Sequence, residues 1–290
     1  MAAVEHLLHV QNVLGEGPRW VPSEQALYWV DIQNHLIYRY FPASGQHEVF
    51  DVGTRVTVLA PRRSGGFITG TERGFAVWYP GRPLEFLVNP EAHRPDVRFN
   101  DGAVDSRGRF WAGTMNDKDH TRPDGCLYRL DPDGSVHLMA DGFQVYNGTA
   151  WSLDQRTMYC TDSGRRTIWA YDFDLETGAI SNRRVFAQIP EADGVPDGHT
   201  LDSQGYLWST HWGGWRITRF DSAGNVEREL RLPVENITSC TFGGAQLDEL
   251  YVTTARQGLS AEALGRQPLA GDLFRVKVGI TGLAQPDYAG

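Results

Sequence analysis

Four oxygen-bearing side chains stand immediately before a glycine in this chain: Glu16-Gly17, Asp101-Gly102, Asn147-Gly148 and Asp197-Gly198. The gaps between them are 85, 46 and 50 residues. That spacing reads as two, one and one copies of a unit of about 45 residues. In a ring of such modules the four positions are equivalent. Glu, Asp, Asn and Asp brought to one spot form an all-oxygen cage, which suits a hard divalent cation. Asp-Gly and Asn-Gly are also common turn dipeptides, and Asp124-Gly125 and Asp133-Gly134 read as turns. Shared register separates the four from these, and so does Glu16, since Glu-Gly is not a favoured turn pair.

The elements that must position these residues are short strands. A hydrophobic–aromatic pair recurs as Leu27-Tyr28, Phe67-Ile68, Phe110-Trp111, Met158-Tyr159, Leu207-Trp208 and Leu250-Tyr251, in steps of 40, 43, 48, 49 and 43 residues. Several pairs follow turn signals such as Asp105-Ser-Arg-Gly, Asp202-Ser-Gln-Gly and Arg63-Ser-Gly-Gly. Downstream comes a second, alternating strand, as in Ile37-Tyr-Arg-Tyr, Leu127-Tyr-Arg-Leu, Ile168-Trp-Ala-Tyr, Ile217-Thr-Arg-Phe and Leu273-Phe-Arg-Val. Period-two alternation means one buried face. Two hairpins per unit make four strands, the size of a propeller blade. Six units fit between Glu16 and the C-terminus, so the expected fold is an all-β, six-bladed β-propeller in a single domain, residues 1–290. A pair of β-sandwiches is the competing architecture, but it leaves six registered turn-plus-aromatic units unexplained. Ser260-Ala-Glu-Ala-Leu-Gly265 reads as one short turn of helix. The four dipeptides fall about ten residues ahead of their aromatic pairs, at the start of each blade's innermost strand.

Composition narrows the partners. A net charge of −9 argues against nucleic acid or an anionic membrane. No apolar run approaches a membrane span, and the first 13 residues lack the basic-then-apolar order of a signal peptide. A cytoplasmic protein is expected, with Cys126, Cys160 and Cys240 as reduced core residues. Asn147-Gly-Thr and Asn236-Ile-Thr match a glycosylation pattern that has no meaning without secretion.

Longer motifs make the chain recognisable. Leu14-Gly-Glu-Gly-Pro-Arg-Trp20, Arg98-Phe-Asn-Asp-Gly102, Gly108-Arg-Phe-Trp-Ala-Gly-Thr-Met115, Pro196-Asp-Gly198, Cys240-Thr-Phe-Gly-Gly244 and Gln267-Pro-Leu-Ala-Gly271 resemble the regucalcin and sugar-lactonase family, the calcium-dependent gluconolactonase group of six-bladed propellers. Ile180-Ser-Asn-Arg-Arg184 and Tyr251-Val-Thr-Thr-Ala-Arg256 extend the likeness nearly end to end. The resemblance implies that Glu16, Asn147 and Asp197 hold one divalent ion, Ca²⁺ foremost, with Zn²⁺, Mn²⁺, Mg²⁺ or Fe²⁺ open. It implies that Arg98 and Asn100 bind a sugar lactone, and it moves Asp101 from the metal to the substrate-facing wall. Some relatives carry an acidic substrate contact in the loop after Met115; here Lys118 stands near that position, and the contact is not carried over.

The implied reaction is hydrolysis of an aldono lactone, such as gluconolactone, xylonolactone or arabinolactone, by a monomer, with the ion as Lewis acid and Asp197 as general base. Two other functions stay open: a calcium-binding regulatory propeller without turnover, and an organophosphate ester hydrolase. Arg98, Asn100 and Asp197 together favour an enzyme. No His-Glu-x-x-His, phosphate-binding glycine loop or Gly-x-Ser-x-Gly elbow is present. His199 shares a strand face with Asp197, His211 is a candidate for the pocket mouth, and Trp212 or Trp215 could stack on a sugar.

Overall fold

The computed structural model describes residues 4–290. Strand β1 (Val4–Leu8) precedes a sheet of β2 (Gly15–Val21), β3 (Ala26–Asp31), β4 (Leu36–Phe41) and β5 (Gln46–Asp51). Next come β6 (Val56–Pro61), β7 (Phe67–Thr71), β8 (Gly74–Trp78) and β9 (Glu85–Val88), then β10 (Val97–Val104), β11 (Phe110–Asn116), β12 (Gly125–Leu130) and β13 (Val136–Phe143). The fourth sheet holds β14 (Tyr146–Trp151), β15 (Thr157–Asp162), β16 (Thr167–Phe173) and β17 (Ile180–Gln188). The fifth holds β18 (Val195–Leu201), β19 (Leu207–Trp212), β20 (Arg216–Phe220) and β21 (Val226–Arg231). The last contains β22 (Ile237–Gly243), β23 (Glu249–Thr254) and β24 (Leu273–Val276), and takes β1 as its fourth strand. Six antiparallel four-stranded sheets make this a six-bladed β-propeller. Three sheets fall in each of two compact units, residues 1–53 with 189–284 and residues 54–188 with 285–290.

Burial grades across each sheet. Second strands such as β3 and β11 are buried throughout, whereas fourth strands such as β5, β9 and β21 are mostly exposed. Charged residues on β21, among them Glu227, Arg228 and Arg231, blunt a free edge that would otherwise invite pairing. The expected aromatic pairs all lie on second strands and are buried. Two of them carry a polar device that packing alone does not suggest. The indoles of Trp111 and Trp208 donate to the fully buried carboxylates of Asp105 and Asp202, each at 2.8 Å. Each carboxylate also accepts backbone N–H groups of its own hairpin turn and an arginine, Arg109 or Arg219. The turn aspartate thus ties the hairpin to the core, and a buried charge is fully compensated.

One detail departs from expectation. The sixth sheet is not completed by residues C-terminal to β24; β1 comes from the other end of the chain and pairs antiparallel with it. Val4, Leu7 and Leu8 pack against the hydrophobic clusters of that unit, which rewards closure with apolar burial. The short helix is present as α1 (Ala261–Arg266), with the Ser260 hydroxyl accepting from Ala263 N at 3.1 Å as its N-cap. All three cysteines are free and buried, and burial raises each thiol pKa, that of Cys160 and Cys240 well above the ordinary range. Among the described residues no helix is long and apolar enough to cross a membrane.

Candidate functional site

The first strand of every sheet contains one extra residue relative to its partner. Register slips occur between Glu16 and Arg19, Val56 and Val58, Phe99 and Gly102, Asn147 and Thr149, Pro196 and His199, and Ile237 and Ser239. These are β-bulges, which release a side chain from the ladder and re-aim it. Glu16 and Asn147 stand at the edge of their bulges, and Asp101 and Asp197 lie within theirs. The equivalent slips on β6 and β22 carry Thr57 and Thr238 instead. A common register for the four dipeptides is therefore a common backbone irregularity. The glycines serve it in two ways: Gly17 and Gly148 adopt positive φ (54° and 49°), while a Cβ on Gly198 would sit 2.2 Å from Ser239 Oγ.

In the unit containing β10 and β14, four expected site residues meet. Asn100 Nδ2 donates to Asn147 Oδ1 at 2.9 Å and to Tyr146 O at 2.8 Å. Asn147 Nδ2 in turn donates to Ser163 Oγ at 2.9 Å, so the amide oxygen is oriented from both sides. Gly113 permits this approach, since a Cβ there would fall 1.9 Å from the Tyr146 ring. Arg98 is buried, not a surface ion pair: Nη1 donates to Asn100 Oδ1 and Phe99 O, both at 2.9 Å, and Nε donates to Asp117 Oδ1 at 2.6 Å. Asp117 also accepts from Arg55 Nη1 at 3.0 Å, and Arg55 pairs with Glu72. Burial works to raise the Asp117 pKa, but the Arg98 and Arg55 charges outweigh it and hold the carboxyl below its usual range.

Asp101 is buried with both oxygens engaged by backbone, Oδ1 with Gly102 N at 2.7 Å and Oδ2 with Gly148 N at 2.8 Å. Burial pushes its pKa up to about 6, and the two N–H bonds only partly oppose that. The carboxylate thus ties its own bulge to the bulge beside Asn147. Sequence reasoning did not find Asp117. Its one signal is its place in the loop after Met115, next to Lys118, which is exposed. His120, in the same loop, has its pKa lowered by burial and by the Arg98 charge.

In the other unit, Glu16 and Asp197 are buried on β2 and β18, and β22 packs against both strands. Thr238, at the β22 bulge, donates its hydroxyl to Gly15 O at 2.5 Å. Thr210 Oγ1 lies 2.7 Å from Thr238 O and 2.8 Å from Gly198 O. The Thr238 and Thr210 hydroxyls thereby stand between the neighbour of Glu16 and the neighbour of Asp197, with the single Thr210 proton shared between its two carbonyls. His199 is buried and opposite Ser209. His211 is buried opposite Pro196, with Nδ1 2.8 Å from Asp193 O, and its Nε2 makes no hydrogen bond. Burial lowers its pKa, more than the Asp193 contact raises it, which favours the neutral ring. Trp212 and Trp215 are half-buried.

Six sheets with bulged first strands, four of them carrying Glu, Asp or Asn at the bulge, define a β-propeller that presents buried oxygen donors. Residues 14–256 match the SMP-30/Gluconolactonase/LRE-like region, and the chain belongs to that family. It is 38% identical over 292 residues to regucalcin of Danio rerio, covering 99% of this chain and 98% of that protein. It is likewise 38% identical over 283 residues to pentonolactonase XacC of Haloferax volcanii, covering 95% and 94%. The solved structure of a regucalcin from Agrobacterium tumefaciens, described as a calcium-binding protein, matches with a TM-score of 0.95 at 25% identity, covering 100% of this chain and 98% of that one.

Proposed function

We propose that this protein is a divalent-metal-dependent hydrolase that opens a sugar lactone to its free acid. The observation that carries the reading is the hydrogen-bonded run Arg98–Asn100–Asn147, which couples a candidate substrate-binding fork directly to a candidate metal ligand. It occurs in a chain 38% identical to a protein named pentonolactonase. Glu16, Asn147 and Asp197 would hold the ion, Ca²⁺ foremost. All three are buried oxygen donors at first-strand bulges, a donor set that suits a hard cation. When bound, the ion supplies Lewis-acid polarisation of the lactone carbonyl.

The remaining chemistry belongs to the chain. Arg98 offers guanidinium donors to ring hydroxyls, and its rigid seating on Asp117 and Phe99 O limits the entropy lost on binding. Asp197 takes a proton from the attacking water as the new C–O bond forms. The ring C–O bond then breaks, and the same proton passes to the leaving alkoxide, giving the hydroxy acid. Asp101 serves this site by pinning the Asn147 bulge rather than by direct contact with sugar. The test is acid release, followed with a pH indicator, from gluconolactone, xylonolactone, arabinolactone and paraoxon, before and after exhaustive chelation. Hydrolysis of at least one sugar lactone that chelation abolishes and a divalent ion restores is expected. Full activity after chelation would refute the metal role. Acid release from no substrate would favour a calcium-binding protein without turnover, and release from paraoxon alone would favour an organophosphate hydrolase.

A further inference from the structure

A different cluster lies where the chain closes on itself. The Asp272 side chain is fully buried, and its Oδ1 accepts Val10 N and Gln11 N, each at 2.9 Å. Its other oxygen, Oδ2, faces two imidazoles: His6 Nε2 and His9 Nδ1 both lie 2.8 Å away. Residues three apart on a regular strand point to opposite faces. Here the pairing slips between His6 and Leu8, so that His6 opposes Phe274 and Leu8 opposes Leu273. That bulge, together with the end of β1 at Leu8, brings His6 and His9 to the same carboxylate oxygen. The His6 ring packs 5.7 Å from the Phe274 ring, which holds its orientation.

We propose that His6, His9 and Asp272 form a site for a late first-row divalent ion, Zn²⁺ being the reference case, that clasps β1 to β24. Two imidazole nitrogens and one carboxylate oxygen match zinc, nickel or copper chemistry, not the all-oxygen preference of Ca²⁺. The three ligand atoms lie within 4.8 Å of one another. Tetrahedral Zn²⁺ with bonds of about 2.0–2.1 Å separates its ligands by roughly 3.3 Å, so each imidazole must withdraw from the carboxylate by about half an ångström while the two ring nitrogens settle at that same separation from each other. The imidazole side chains are 34% and 56% exposed, which lets them make that shift and leaves outer positions to water. The carboxylate stays fixed by its two backbone donors. Ligation through His9 Nδ1 places the ring proton on Nε2. That proton goes to water, because the His9 ring is exposed and the Gln11 amide beside it keeps its oxygen on Arg256 Nη1. The site is independent of the proposed lactonase residues.

The test uses the full-length, tagless chain, stripped by chelation and held in excess Ca²⁺, titrated with Zn²⁺ by calorimetry and by equilibrium dialysis with elemental analysis. Wild type and Glu16→Gln are expected to bind one Zn²⁺ alike, with a Zn²⁺-dependent rise in unfolding temperature. His6→Ala and His9→Ala, which change exposed side chains, are expected to keep wild-type hydrolysis. Each should lose at least the roughly 100-fold in Zn²⁺ affinity that removing even an outer partner can cost, together with the thermal shift. Zn²⁺ binding unchanged in both histidine variants would overturn the site. Loss of Zn²⁺ in Glu16→Gln with retention in His9→Ala would also overturn it, by assigning the ion to the oxygen donors.

Discussion

Replacing Asp117 by Asn tests whether the Arg98 clamp is built as described. Asp117 Oδ1 and Oδ2 bridge Arg98 Nε and Arg55 Nη1, with the Arg98 side chain only 6% exposed. An Asn keeps one neutral acceptor for Arg98 but turns an N–H₂ toward Arg55, setting donor against donor. A hydrogen bond to a charged group contributes about 1.5–3 kcal/mol, and removing one member of a buried ion pair costs about 3–5 kcal/mol. Arg55 retains Glu72, and Arg98 retains Phe99 O and Asn100, so a loss near the lower figure, about 2–3 kcal/mol, is expected. In kinetics, a loosened fork should raise KM about tenfold, the equivalent of about 1.4 kcal/mol, while kcat changes little. The pH dependence carries a sign. The folded Asp117 pKa lies below its unfolded value, so the clamp's stabilisation is fully present above the ordinary carboxylate range and disappears as pH falls through the folded value. The stability gap between wild type and variant, measured by urea unfolding, should therefore close in acid. A gap below about 0.5 kcal/mol at pH 7 with an unchanged KM would refute the reasoning, since surface substitutions alone reach that size.

Two further outcomes are expected. Asp197→Asn should fold like wild type by circular dichroism yet lose turnover by at least about 100-fold, the lower range for a general base; near-wild-type turnover would remove Asp197 from that role. Deleting residues 1–8 strips β24 of its outer partner, leaving only β23, and exposes the surface covered by Val4, Leu7 and Leu8. At about 1 kcal/mol for each half-buried aliphatic side chain, the chain should lose roughly 3 kcal/mol in urea unfolding, and an unchanged midpoint would contradict closure by β1.

Much of the fold is local chemistry and was legible as such. Turn residues, period-two alternation and the aromatic pairs each depend on neighbours within one hairpin, so Phe110-Trp111 and Leu207-Trp208 announced second strands. Register likewise exposed Glu16, Asp101, Asn147 and Asp197 as equivalent, and the structure supplies the reason: each lies at or beside a bulge on a first strand. What register could not give was the work each side chain does. Asp101 resembles Asp197 in sequence, yet its two oxygens are taken by Gly102 and Gly148. Asp117 carried no motif of its own, because its meaning depends on two arginines, 19 and 62 positions away.

The sequence by itself determined the blade count and the strand order within a blade, because those rest on short-range patterns repeated six times, and the family, because its motifs are contiguous runs of residues. Only the tertiary structure decided how the sheets are completed and which charges meet. His6 and Asp272 are separated by 266 positions, and no local pattern joins them. They meet because β1 supplies the fourth strand to β24 and a one-residue bulge turns His6 and His9 to the same side. Contacts of that range are set by closure of the last sheet, which is a property of the folded chain and not of any segment of it.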